Sequence, residues 1–361
     1  MLRSRNVIVF TRFYGHTEGE SQKGTARVRR ARRGLLALGA RAYPRALVEL
    51  QAFRCPTCGA PLPRHARWTA VTCAHCGASS APAGAIVARR HFRQALAEIE
   101  RERPASPSDV NAGGARYAVL RTLAHGERAT VLFAERARRL TERVVIKARA
   151  ANEQASIERE WEALAALSES GAQGAAHFTL RLPAPIARGE ALFADGRRAR
   201  ALVTRAAPGF GPTLDEVRAA FPDGVDARHA AWMWRRLLEL LGFVHRSGWS
   251  HGAVLPSHVV LNAREHGAML VSWSRAARME PGAAAEDLRM SAQAVAHALG
   301  ADGDELSERV PAPVRELLER CAGGASPSDD AWRMKDLVAE AAERAFGPPT
   351  FVPFEMPPRR D

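Results

Sequence analysis

The stretch that decides the fold is HRSGWSHGAVLPSHVVLNAREHGAMLVSWSRAAR, residues 245–278. An apolar pattern with helical spacing runs into it from Trp232, and His251-Gly252 followed by Pro256 indicates a loop. Residues 259–261 read as a strand, 262–267 as a polar turn, and 268–271 as a second apolar strand. The stretch therefore predicts a buried helix, a loop and a hairpin, in that order.

The chain upstream predicts a small sheet that carries one lysine and one helix. Strand patterns cover residues 117–123, 129–135, 143–148, 182–191 and 199–205, and Gly126 lies in the turn between the first two. Lys147 lies near the end of the third strand, RVVIKA. Residues 157–167 then predict a helix with one apolar stripe. Glu160 belongs to this helix and follows Lys147 by 13 residues.

In this order and spacing, residues 115–347 resemble a protein kinase of the bacterial serine/threonine type. RVVIKA is similar to the strand whose lysine pairs with nucleotide phosphates, and Glu160 stands at the position of its ion-pair partner. Gly126 is what remains of the glycine-rich loop, and residues 206–211 resemble the hinge between the lobes. The resemblance implies an α+β, two-lobed fold in which Lys147, Glu160 and Gly126 are vestiges of a nucleotide site.

The same resemblance places unsuitable side chains at the three catalytic positions. Ala253 stands where the family has the aspartate that accepts the substrate proton, and a methyl group cannot accept it. His258 and Ser272 stand where an asparagine and an aspartate bind Mg²⁺, which prefers carboxylate oxygens. Asp287 matches the buried aspartate that braces the catalytic loop. The resemblance therefore implies no catalytic residue and argues against ATP and Mg²⁺ as cofactors.

Three functions are compatible with this pattern. The first is a pseudokinase that acts in signalling as a binding, scaffold or regulatory protein with an unidentified protein partner. The second is an active serine/threonine kinase with displaced metal ligands, for which an aspartate such as Asp195, Asp215, Asp223 or Asp226 would have to reach the metal. The third is a nucleic-acid-binding zinc module with a regulatory kinase-like body.

Four cysteines predict a zinc ribbon. Cys55 and Cys58 form one C-x2-C pair, Cys73 and Cys76 form another, and 14 residues separate the pairs. A glycine follows each pair, where a tight turn needs a positive φ angle. Four thiolates complete a tetrahedral Zn²⁺ shell, so the expected site is structural and leaves no open position for water. We expect His65 and His75 to be surface residues and the fifth cysteine, Cys321, to be a buried thiol.

Charge is distributed unevenly along the chain. The net charge of the whole chain is +13, and residues 1–105 alone carry 19 Lys and Arg against 6 Asp and Glu. This basic region either reflects an arginine-rich composition or attracts an anionic partner such as nucleic acid. The sequence has no run of 18 apolar residues, so it predicts no membrane span. The expected location is the cytoplasm of a bacterium.

These patterns divide the chain into six segments. The last of them, the tail of residues 348–361, either packs back on the body of the protein or docks a partner. The predicted segments are a basic, disordered extension (1–45), the zinc ribbon (46–80), a helix and linker (81–112), an N-lobe (113–205), a C-lobe (206–347) and a Pro-rich tail (348–361).

Overall fold

The structure is a computed structural model, and it describes residues 54–55, 58–63, 71–80, 108–136, 142–301 and 306–357. The predicted basic extension and residues 81–107 of the predicted helix and linker lie outside these residues. His65 also lies outside them.

The cysteine segment contains one short strand pair. Strands β1 (Val71–Thr72) and β2 (Ser79–Ser80) pair antiparallel. Cys55, Ala60, Leu62, Val71 and Cys73 form a small buried cluster of their own. A segment of this size cannot bury much apolar surface, so its folding needs a further source of stability.

A closed antiparallel barrel forms the N-terminal lobe, with strand order β3-β4-β5-β6-β8-β7. Its core is lined by small and branched side chains, among them Val110, Ile146 and Val203. Helix α1 (Gln154–Ser168) packs against β7 and β8, and the short helix α2 (Ala175–Phe178) follows it. The strands are β3 (Ser108–Ala112), β4 (Ala115–His125), β5 (Ala129–Arg136), β6 (Arg143–Arg149), β7 (Ala184–Phe193) and β8 (Arg198–Arg205).

Strand β3 corrects the prediction that residues 81–112 are helix and linker. Val110 and Ala112 alternate into the barrel core, and β3 closes the barrel by pairing with β7. Gly113 and Gly114 then form a two-residue hairpin turn, with φ angles of 54° and 81°. A Cβ atom on Gly113 would lie 2.7 Å from the Cβ of Ala187, so this turn requires glycine.

The C-terminal lobe is built around one long buried helix. Helix α3 (Leu214–Ala220) begins at Thr213, which forms a reciprocal capping box with Glu216. Helix α4 (Ala227–Arg246) follows, and Trp234, Leu237 and Leu241 lie on its buried side. Strand β9 (Trp249–Ser250) leads to the hairpin of β10 (Val259–Asn262) and β11 (Gly267–Leu270), and β9 pairs with β12 (Ala277–Arg278). The lobe ends with α5 (Ala283–Ala298), α6 (Ala312–Ala322) and α7 (Ala331–Phe346).

The tail packs back on the C-terminal lobe, which is the first of the two predicted alternatives. Phe354 is buried against Trp232, Phe221 and His229. Cys321 is buried in the helical core, as predicted. In the part of the chain that the structure describes, no helix has the length and apolar character needed to span a bilayer.

Candidate interlobe site and cysteine cluster

Lys147 lies between the two lobes and contacts a residue from each. Its Nζ lies 2.7 Å from Oε2 of Glu160 on α1 and donates to Oγ of Ser272 at 2.9 Å. The side chains of Lys147 and Glu160 are only 12% and 4% exposed, and burial lowers the pKa of Lys147. The predicted ion pair is therefore present. Ser272 occupies the space where a metal-binding carboxylate was expected, and its hydroxyl is already engaged by the lysine.

The backbone at Ser272 is held in a strained conformation by its neighbours. Ser272 has φ 68° and ψ 60°, the left-handed region that residues other than glycine rarely adopt. The N–H of Trp273 donates to Oε1 of Glu160 at 3.0 Å, and its indole Nε1 donates to the carbonyl of Leu270 at 2.9 Å. The N–H of Val271 donates to the carbonyl of His258 at 2.9 Å. These bonds fix the segment after β11 against α1.

Asp287 on α5 organises the loop that precedes the β10–β11 hairpin. Its Oδ2 accepts from the N–H of His251 at 2.8 Å and from Nε2 of His245 at 3.0 Å, and its Oδ1 accepts from the N–H of Gly252 at 2.8 Å. His251 is fully buried and its Nε2 donates to the carbonyl of Val271 at 3.1 Å. Burial lowers the pKa of His251 to about 4, so the ring is neutral near pH 7. His251 thus packs in the fold as a neutral ring.

The two remaining catalytic positions lie together at the same loop. Nδ1 of His258 donates to the carbonyl of Ala253 at 2.8 Å, and burial lowers the pKa of His258. Ala253 is itself buried. The structure therefore places Ala253, His258 and Ser272 around one site. None of the three side chains carries a carboxylate.

The carboxylates near this site are already used by the fold. Asp287 accepts three hydrogen bonds, and both oxygens of Glu160 have partners. Three of the four aspartates that an active kinase would need also have partners within the fold. Asp195 accepts from the N–H of Arg197, Asp215 contacts His297 at 3.1 Å, and Asp226 caps α4.

Gly126 sits in an ordinary hairpin. Its N–H donates to the carbonyl of Ala129 at 2.9 Å, which closes the turn between β4 and β5. That N–H is therefore not available to a phosphate group in this conformation.

Two arginines that the sequence reading did not single out hold the segment after Ser272. Nη1 of Arg149 lies 3.2 Å from Glu153, and its Nη2 donates to Oγ of Ser274 at 3.2 Å. Nη1 of Arg159 donates to the carbonyl of Ser274 at 3.1 Å. The sequence offered one signal for Arg149. It follows Lys147 by two residues on β6, and alternate residues of a strand lie on the same face.

The four predicted zinc ligands meet in one cluster. All four sulfurs lie within 4.8 Å of one another, with 3.6 Å between Cys55 and Cys76 and 3.7 Å between Cys58 and Cys73. Tetrahedral zinc with Zn–S bonds of about 2.3 Å would place its sulfurs about 3.8 Å apart, so the donor set fits this ion. Burial raises the pKa of the Cys58 and Cys73 thiols, because a buried thiolate loses its hydration. A bound cation would offset this cost of forming the thiolates.

The same backbone hydrogen bond and glycine conformation follow both cysteine pairs. The N–H of Gly59 donates to the carbonyl of Cys55 at 2.9 Å, and the N–H of Gly77 donates to that of Cys73 at 2.8 Å. The two glycines have φ angles of 74° and 76°, as the sequence predicted. The repeated turn presents the two thiols of each pair to one common centre.

The cysteine cluster packs against the C-terminal lobe. The N–H of Phe351 donates to the carbonyl of Cys58 at 3.1 Å, and the Phe351 ring packs with the cluster. His75 is half-buried, because its ring lies against His266 and Phe351, so the expectation of a surface residue is wrong. Burial, with Arg236 and Arg235 nearby, lowers the pKa of His75 to about 4.

Comparison with known proteins extends these observations. No family model matches the sequence, and no curated protein matches it. A rhoptry kinase from Toxoplasma gondii superimposes with a TM-score of 0.50 at 16% identity, over 66% of this chain and 83% of that chain. The PknI kinase domain of Mycobacterium tuberculosis has a TM-score of 0.45 at 17% identity, over 66% of this chain and 99% of that chain. The kinase domain of BubR1 has a TM-score of 0.49 at 10% identity, over 70% and 91%. The barrel, the helical lobe and the first of these likenesses show that the chain has a protein kinase-like fold.

Proposed function

We propose that this protein is a zinc-ribbon pseudokinase, which acts in signalling by binding a protein partner and not by transferring phosphate. The observation that carries the proposal is the loss of usable carboxylates at the interlobe site. Ala253, His258 and Ser272 stand at the three chemical positions, and Glu160 and Asp287 are engaged by the fold. Phosphoryl transfer depends on metal ions that neutralise the phosphate charge, and nothing at these positions is suited to hold Mg²⁺.

Lys147 and Glu160 have a structural role in this proposal. The lysine connects β6, α1 and the Ser272 segment through its contacts with Glu160 and Ser272. It thereby keeps the two lobes in one arrangement, which suits a protein that presents a fixed surface to a partner.

Four thiolates at the cysteine cluster would bind one Zn²⁺, whose role would be structural. The sulfur spacing and the repeated glycine turns support this assignment. Because thiolate ligands persist in a reducing compartment, we place the protein in the cytoplasm. Metal analysis of the purified chain should find one zinc ion, which is lost on Cys58→Ser/Cys76→Ser substitution.

Thermal unfolding of the full chain with ATP, with and without Mg²⁺, tests the loss of nucleotide chemistry. A ligand at 100 times its dissociation constant stabilises by about 2.7 kcal/mol, which is a shift of about 5–10 °C for a domain of this size. We expect no Mg²⁺-dependent shift for the natural sequence. Ser272→Asp restores one carboxylate at the metal position and should increase any response to ATP with Mg²⁺.

A phosphoryl-transfer assay provides the opposing result. Transfer of the γ-phosphate to a protein substrate, abolished by Lys147→Ala, would overturn the proposal in favour of an active serine/threonine kinase with displaced ligands. Arg198→Ala, an exposed substitution on the neighbouring strand β8, is the matched control. A nucleic-acid role for the basic N-terminal region remains a prediction, since most of that region lies outside the described residues.

A further inference from the structure

Helix α4 carries an unusual excess of buried positive charge. Nη1 of Arg236 lies 2.7 Å from both oxygens of Glu239, and Nη1 of Arg181 lies 3.3 Å from the same carboxylate. Arg236 and Glu239 are only 4% and 8% exposed. Arg235 is adjacent, and its Nε is a buried atom without a hydrogen-bond partner in the described chain. Two guanidinium groups therefore contact one buried carboxylate, and the third, that of Arg235, acts on it only through its charge.

The nearest other acidic groups offset this excess only in part. Glu265 and Asp336 are exposed, and Asp336 is paired with Lys335. Buried charges in folded proteins are almost always paired, because removing an ion from water is costly. A further anionic group beside α4 would therefore stabilise Arg236, which is buried, and Arg235, which is half-buried.

These arginines face the cysteine cluster. Nη2 of Arg236 donates to the carbonyl of Ala74, which lies in the turn between Cys73 and Cys76. The same helix face therefore contacts both Glu239 and the backbone of the second cysteine pair.

Zinc bound by four thiolates carries a formal charge of −2, since four negative ligands surround a dication. We propose that Arg235 and Arg236 are the counter-charges of a zinc tetrathiolate, so that metal loading fixes the cysteine segment on the C-terminal lobe. The proposal rests on the zinc site proposed above. The charge of the loaded cluster is opposite in sign to the excess on the arginines, and losing the metal would remove that compensation.

Zinc affinity of the full chain tests this coupling. Competition with the chelator 4-(2-pyridylazo)resorcinol measures the zinc dissociation constant of the natural sequence and of Arg236→Met and Arg235→Met. Each neutral variant should bind zinc about tenfold more weakly, and Arg236→Lys should recover most of the affinity because it keeps the charge. Arg228→Met is the control, because Arg228 lies on the same helix but is half-exposed and paired with Asp226.

The melting temperature in two backgrounds separates a counter-charge from a purely structural arginine. Arg235→Met, which leaves the Arg236–Glu239 ion pair in place, should lower the melting temperature of the zinc-loaded chain. In a Cys58→Ser/Cys76→Ser background without zinc, it should leave the melting temperature unchanged or raise it, because the uncompensated charge is removed. An equal loss in both backgrounds with unchanged zinc affinity would overturn the counter-charge role, although zinc would still be bound. A natural chain that contains no zinc would overturn the metal site itself.

Discussion

The buried Lys147–Glu160 pair offers a direct test of whether the interlobe site is structural. Glu160→Gln removes the negative charge, yet its amide oxygen can still accept the N–H of Trp273. Lys147→Met removes the positive charge while keeping a similar apolar stem. The two substitutions and their combination form a cycle that isolates the charge pair.

The expected magnitude follows from burial. The lysine and glutamate side chains are 12% and 4% exposed and their charged atoms are 2.7 Å apart. Removing one partner of a buried pair costs about 3–5 kcal/mol, since the other charge is left without compensation. Each single variant should lose about 3 kcal/mol, and the double variant should lose at least about 2 kcal/mol less than the sum of the two.

Urea denaturation followed by tryptophan fluorescence measures these losses. Arg198→Met and Glu190→Gln are the matched control, because this pair is 3.3 Å apart on neighbouring strands but largely exposed. The control variants should change the free energy of unfolding by less than about 0.5 kcal/mol. Additive effects at Lys147 and Glu160, or a loss no larger than that of the control, would refute the reasoning.

Three further predictions address the loop, a turn and the pH dependence. Asp287→Ala leaves three donors without an acceptor and should cost about 3 kcal/mol or more in denaturant unfolding, whereas Asp223→Ala in an exposed turn should cost little. Gly224→Ala would place a Cβ 2.0 Å from the carbonyl oxygen of Leu299, at a φ of +86°. It should destabilise the protein far more than the control Gly196→Ala. Gly196 has a similar φ of +83°, but a Cβ there would meet nothing within 4 Å. His251 has its pKa lowered to about 4, so the unfolded state binds more protons below its usual value of about 6.5. Stability should therefore fall by about 3 kcal/mol from pH 7 to pH 4 through this group, and His251→Gln should show a shallower pH dependence in the same urea titrations.

Several elements of the fold could be predicted because their signal is local. Strands 117–123, 129–135 and 143–148 and the helix through Glu160 lie within the observed β4, β5, β6 and α1. Alternation and helical periodicity report which side of an element is buried, whatever the element packs against. The start of α3 depends on a similarly local signal, because Thr213 and Glu216 cap it by a contact within one turn.

Strand β3 was missed because its apolar signal is short. Only Val110 and Ala112 face the core, and the segment follows a Pro- and Ser-containing run that reads as a linker. What makes it a strand is pairing with β4 across the glycine turn and with β7, about 80 residues further along the chain. The two consecutive glycines were the local signal that could have indicated a hairpin.

The amino-acid sequence by itself determined the identity of the side chains at the candidate site. It placed Ala253, His258 and Ser272 where carboxylate or amide groups were expected, and it set the spacing of the four cysteines. Side-chain chemistry and short-range spacing are properties of the chain, so they do not depend on packing.

Only the tertiary structure decided which groups meet and which are already used. It brought Lys147 into contact with Ser272, 125 residues apart, and Arg236 into contact with Ala74, 162 residues apart. It also engaged Glu160 and Asp287 in hydrogen bonds of the fold. Contacts across such separations depend on how lobes and loops pack as whole bodies, which a local pattern does not encode. The burial that shifts the pKa of His251 and leaves excess charge on α4 arises from the same packing.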